Sequence, residues 1–229
     1  MSEISPARAI PRPLFAYALL YGGMTCIAGV LGFKQVALGP LAVEAGIFAF
    51  LMLVVISSTV AQLYGAATAN SMVRWGFVPL AVSIALIFVV LSLPPAPTMP
   101  AENVAAFETV LSQTWRIMAA GPVAYFVSLW LNVRIFSALR GKGEAIGSGG
   151  GWWTMARGAI ASALSQVVDT LIFITLAFYG EFPIGSLLVG QALAKVVLSI
   201  VLVPPLIAFL IWLAGKIERR DAAANACPR

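Results

Sequence analysis

Six long apolar runs divide this sequence, at about residues 14–32, 41–64, 75–93, 114–136, 156–179 and 184–213. No other feature limits the possible folds so strongly. About 20 apolar residues in a helix match the roughly 30 Å hydrocarbon core of a bilayer. Within lipid a segment must pair its own N–H and C=O groups, so all six runs are expected to be helices. The expected fold class is an all-α membrane protein, a six-transmembrane-helix bundle forming one domain over residues 1–229. Composition agrees. Of the 229 residues, 61% are hydrophobic and 10% charged, where a soluble domain carries about 25% charged residues. The last run is long enough to tilt, or to bend near Pro204 and Pro205.

The connections differ in character. The first run follows Arg8 and Arg12 but exceeds the usual signal-peptide core and lacks a clean cleavage site, so an uncleaved first span is expected. PPAPTMP, from Pro94 to Pro100, reads as a stiff extended loop. It leads into AENVAAFETV, expected as a short interfacial helix. GKGEAIGSGGG reads as a flexible linker without the spacing of a phosphate-binding loop.

With both termini placed in the cytoplasm, ten basic residues fall inside and two, Lys34 and Arg116, outside. That asymmetry fits the positive-inside rule. Glu44, Glu102, Glu108 and Glu181 then lie on or near the outside. The net charge of +5 is explained by an anionic membrane-lipid surface, with no nucleic-acid partner needed.

Several chemistries are excluded. There is no histidine, so histidine-based nucleophilic triads cannot be built. The two cysteines, Cys26 and Cys227, are expected to be free thiols. Common zinc sites lack ligands, and no cofactor motif is present. An enzyme would have only Asp169 and Lys195 for acid–base work, so catalytic residues, metal and cofactor are all expected to be absent.

Three charged residues remain inside the runs: Arg134, Asp169 and Lys195. Charges at membrane depth cost about 2.5–3.5 kcal/mol or more and tend to mark a pathway or a pair. Arg134, near an inner boundary, is expected to snorkel. Asp169 and Lys195 lie at similar depths on consecutive antiparallel spans and are expected to pair, directly or through water. Ser162, Ser165, Gln166 and Asp169 share one helix face, as do Tyr125, Ser128 and Asn132. Ser58 and Gln62 are four apart on the second span, with Ser57 and Thr59 beside them. Gln191 precedes Lys195 by one turn. These groups suit a neutral, flat, hydrogen-bonding solute, and Trp130, Phe136 or Phe173 could stack on its ring.

SQVVDTLIF followed by AFYG, with WWTMARGAIAS before it, resembles the VUT family of bacterial queuosine precursor transporters. QLYG, NVRIFSALR and AKVVLSIVLVP extend the resemblance in order along most of the chain. The resemblance implies a multi-pass protein of the bacterial inner membrane that imports 7-deazaguanine precursors, 7-cyano or 7-aminomethyl, for tRNA modification. It implies a fold like the substrate-binding subunits of energy-coupling-factor transporters. A substrate-binding subunit needing a separate energising module is the alternative, as is a transporter of another vitamin-like heterocycle. Asp169, Gln166, Asn132, Lys195, Ser58, Gln62 and Tyr125 are the substrate-binding candidates for a purine-like small molecule. Ser58, Gln62 and Asn132 are neutral where the family usually carries charge. That difference mildly favours the neutral cyano base.

Overall fold

The computed structural model of this chain describes residues 10–138, 152–181 and 183–225. The elements run in order α1 (Arg12–Gly32), β1 (Gln35–Leu38), β2 (Leu41–Glu44), α2 (Gly46–Tyr64), α3 (Ala66–Ser92), α4 (Ala101–Ala138), α5 (Trp152–Phe178), α6 (Gly185–Val201) and α7 (Val203–Asn225). Helices α1, α2 and α3 are each long and apolar enough to cross a bilayer. Helices α6 and α7 meet that test together, as a pair bent by 46°. The chain is therefore a multi-pass, helical membrane protein.

The element boundaries follow local chemistry. Pro11 and Pro13 flank the start of α1, where helical N–H groups have no internal partner to lose. Gly65, with φ of +87°, separates α2 from α3 in a single residue. The bend between α6 and α7 falls at Leu202, just ahead of Pro204 and Pro205. Proline disfavours helical geometry in the residue before it and lacks the N–H that would continue the ladder. The long last run thus divides where its prolines require.

Three expectations need correction. The run at 41–64 is not one helix: its first four residues form β2, paired antiparallel with β1 from Leu38↔Leu41 to Gln35↔Glu44. Gly39, at φ +61°, supplies the positive φ that a two-residue hairpin turn needs. An apolar run cannot by itself distinguish a buried strand from a helix. Second, AENVAAFETV is not a separate interfacial helix but the first turns of the 38-residue α4. Third, α3 begins at Ala66 rather than near 75. Both helices continue beyond the apolar stretch because polar residues without helix breakers keep the ladder intact.

Strand β2 packs inward, while alternate residues of β1 and the Gly39–Pro40 turn stay exposed. Val43 is fully buried. Ala45 N–H donates to Lys34 O at 2.8 Å, and Glu44 N–H donates to the Gln191 side-chain oxygen at 3.1 Å. Gly190 of α6 faces β2, and a Cβ there would collide with the Ala42 carbonyl oxygen. The glycine permits this close approach of strand and helix.

Two large apolar cores hold the bundle, with a smaller one of Val43, Ile47 and Ala194 beneath the hairpin. One joins α1, α2, α3 and α7 through Tyr17, Leu51, Val55, Ile56, Met72 and Leu210. The Tyr17 hydroxyl ties it together by donating to Leu210 O at 2.6 Å. The other joins α4, α5 and α6 through Ile117, Ile174, Phe178 and Leu187. Arg116 of α4 secures the end of α5 by donating to Leu176 O at 2.7 Å and Tyr179 O at 2.8 Å. It thereby satisfies carbonyls that a helix C-terminus leaves open.

Candidate functional site

Between the two cores lies a cavity of about 280 Å³, near the lower end of the range for small-molecule pockets. Helices α1 to α6 and strand β2 all contribute to its wall. On α2 the lining residues are Gly46, Phe50, Leu53, Val54 and Ser57, one face at helical spacing. On α4 they include Gly121, Tyr125 and Ser128. On α5 they are Ser165, Gln166, Asp169 and Phe173. The α5 set again repeats at three and four residues, so a single face turns inward.

Asp169 and Lys195 form an ion pair at 2.8 Å. The Lys195 side chain is 6% exposed and that of Asp169 13%. Ser128 donates its hydroxyl to the second Asp169 oxygen at 3.3 Å. The ammonium also lies over the rings of Phe50, at 4.6 Å, and Phe173, at 5.9 Å. Aromatic faces stabilise a cation, so the charge is compensated from three sides. The pairing expected from equal helical depths is present.

A second carboxylate completes the site. Glu44, which the basic-residue pattern assigned only to a side of the membrane, is 4% exposed and lines the cavity. One of its oxygens accepts from Gly46 N–H at 2.7 Å and the other from the Gln191 amide at 2.7 Å. Gln191 returns the contact through Glu44 N–H. The hairpin accounts for this burial, because it seats Glu44 at the end of β2 against α6. The hairpin also escaped sequence reading because its Gly-Pro turn sits inside apolar residues.

The other candidates divide. Gln166 and Tyr125 line the cavity beside Asp169. Ser58 and Gln62 do not: Ser58 is half-buried elsewhere and Gln62 is exposed. A step of one residue rotates a helix by about 100°, so Ser57 faces the cavity and Ser58 does not. Thr59 bonds back to Val55 O at 2.7 Å. The side chains of Asn132, Phe136 and Ser162 lie outside the described residues. Trp130 is exposed and carries the Arg134 guanidinium over its ring at 4.3 Å, so it stacks on a cation at the surface. Phe173, the third proposed stacking aromatic, lines the cavity.

Chemically, the site offers carboxylate acceptors, an ammonium, hydroxyls, an amide and aromatic faces in an otherwise apolar chamber. The polar groups can orient a small solute while the rings cover it. Among the described residues there is no cluster of metal-ligating side chains.

The family model described as "Putative vitamin uptake transporter" matches residues 44–209. No curated protein and no solved structure matches the chain. The matched region begins at Glu44 and contains every cavity-lining residue except those contributed by α1. The chain belongs to this vitamin uptake transporter (VUT) family, whose members move small molecules across membranes.

Proposed function

We propose that this protein imports queuosine precursors, 7-cyano- or 7-aminomethyl-7-deazaguanine, or a closely related purine-like base, across a bacterial inner membrane. The observation that carries the reading is the Asp169–Lys195 pair facing the cavity with Gln166, Ser128 and Phe173 beside it. A guanine-like edge presents adjacent N–H donors and a carbonyl acceptor. Asp169 accepts from the donors, Lys195 donates to the carbonyl, and Phe50 and Phe173 cover the ring faces. Glu44 supplies acidity that Ser58, Gln62 and Asn132 lack. A cationic aminomethyl group beside Glu44 favours the ionised form that burial disfavours, so the site accommodates this base as well as the neutral cyano one.

In this reading the chain is one domain of six spans, with α6 and α7 as a single bent span and α4 and α5 completing the set. Both termini face the cytoplasm, supported by the ten-to-two distribution of basic residues. The arrangement follows the substrate-binding subunits of energy-coupling-factor transporters. Transport requires the cavity to open alternately to each side.

The test is uptake of labelled precursor by cells unable to make it. An Asp169→Asn protein that inserts normally is expected to lose uptake, and undiminished transport would end the proposed role of this carboxylate. Purified protein in liposomes separates a self-sufficient transporter from a subunit that needs an energising module. Uptake there supports the former, while uptake in cells alone supports the latter.

A further inference from the structure

A second concavity lies outside the central site. It is a groove of about 380 Å³ on the flank of the bundle, between α3 and α4. Its α3 wall is Arg74, Phe77, Leu80, Ala81 and Ile84, which fall on one helix face. Its α4 wall is Pro122 and Phe126, and the Phe77 and Phe126 rings meet with centroids 5.6 Å apart. Phe77 also contacts Tyr125 at 5.9 Å. It thus stands as the partition between this groove and the central cavity.

The groove has one charged end. Arg74 is its only ionisable lining residue and is exposed. Among the described residues it makes no hydrogen bond or ion pair. Its neighbour Trp75 is 71% exposed. An exposed tryptophan beside an arginine at the edge of an apolar helix is characteristic of the headgroup layer. From Arg74 to Ile84 the helix rises about 15 Å, half of a hydrocarbon core about 30 Å thick. The groove therefore starts at headgroup level and ends near the midplane, the reach of one leaflet's acyl chain.

We propose that the α3–α4 groove binds an anionic phospholipid, with the phosphate on the Arg74 guanidinium and one acyl chain lying along Phe77, Ala81 and Ile84 against Pro122 and Phe126. The guanidinium pairs with the phosphate oxygens, and it favours an anionic headgroup over a zwitterionic one, whose own ammonium offsets the phosphate charge. The apolar trough selects a chain over a free anion. A lipid in place packs against Phe126 and supports the Phe77 partition from the membrane side. The site is independent of what the central cavity carries.

The test is native mass spectrometry of the full-length protein, titrated with phosphatidylglycerol and with phosphatidylcholine of the same acyl chains. Retention of phosphatidylglycerol is expected to exceed that of phosphatidylcholine by about fivefold, the contribution of one basic residue near an anionic lipid. Arg74→Gln should remove that preference and Arg74→Lys should keep part of it. Ala81→Trp, at an exposed position, fills the trough with the charge intact and should release both lipids. Arg220→Gln, an equal change in net charge on α7, should leave retention unchanged. Equal retention of the two lipids by the unaltered protein would overturn the proposal. So would phosphatidylglycerol binding that falls in Arg74→Gln but survives in Ala81→Trp, since a guanidinium alone would then suffice.

Discussion

Two carboxylates face the same cavity, and the structure compensates them by different means. Asp169 stands on a helix and is held by an ammonium 2.8 Å away. Glu44 stands at the end of a strand and is held by neutral donors, the Gly46 N–H and the Gln191 amide. An ion pair in a low-dielectric chamber can exchange one partner for a polar ligand without leaving a charge bare. The amide clasp has a second task, since the Gln191 oxygen also binds the Glu44 backbone N–H and so fastens the hairpin to α6. On the proposed function, Asp169 is the carboxylate that exchanges with solute, and Glu44 is the one that holds the wall.

The sharpest way to break this contrast is to remove the ammonium. Lys195→Met leaves Asp169 buried without a cation, a loss of about 3–5 kcal/mol, and uptake should cease. Replacing both residues, Asp169→Leu with Lys195→Met, should recover much of the stability in thermal unfolding, because Asp169 is no longer left bare and Glu44 keeps its Gly46 and Gln191 donors. Uptake should stay absent. A double variant as unstable as the single one would show that the pair is structural cement rather than an exchangeable site.

The hairpin side is probed next by Gly190→Ala. The new methyl meets the Ala42 carbonyl, so strand and helix must separate, at a cost of about 2–3 kcal/mol. Gly185→Ala on the same helix meets nothing within 4 Å and should be neutral. The comparison is read by thermal unfolding together with ligand affinity. A silent Gly190→Ala would mean that the hairpin is not seated against α6 as described.

Glu44→Gln asks a finer question. The new amide keeps the shape but turns an NH2 group toward one of the two donors that the carboxylate satisfied. Stability should fall by about 1–2 kcal/mol. If Glu44 also assists a cationic ligand, affinity for the aminomethyl base should fall more than affinity for the cyano base. Equal losses would confine Glu44 to its role in the wall.

These contrasts show where sequence reading succeeds and where it stops. Asp169 and Lys195 were legible because helical rise converts residue number into depth, and a charge in an apolar run stands out. The long apolar runs likewise announced a helical membrane protein. The hairpin was not legible, because LAVE is as apolar as the helix that follows it and its pairing with QVAL is a tertiary fact. Glu44 went with it: it falls inside the 41–64 run, and only the hairpin shows that it ends a strand facing the cavity. Gln191 was noted only as a neighbour of Lys195, yet its partner is the residue that the hairpin delivers. The α4 extension was hidden for the opposite reason, since amphipathic turns carry no apolar signal though they continue the same helix.

The smallest predicted effect concerns the face of α2. Ser57 and Ser58 are adjacent in sequence, and hydropathy cannot rank them. Helical rotation can: Ser57 follows Gly46, Phe50, Leu53 and Val54 around the cavity face, while Ser58 and Gln62 point elsewhere. Ser58→Ala combined with Gln62→Ala should therefore leave uptake within about twofold and stability within about 0.5 kcal/mol, the usual range for substitutions away from packed or bonded sites. Ser57→Ala removes a hydroxyl from the chamber. Where that hydroxyl bonds the ligand, affinity should fall by about two- to tenfold, the equivalent of one modest hydrogen bond. Its backbone acceptor, Val54 O at 3.1 Å, keeps its helical partner, so stability should barely change. The readout is affinity set beside unfolding temperature. A larger loss from the Ser58 and Gln62 pair than from Ser57 would place the solute path on the other side of α2, and the cavity between the two cores would not be the binding chamber.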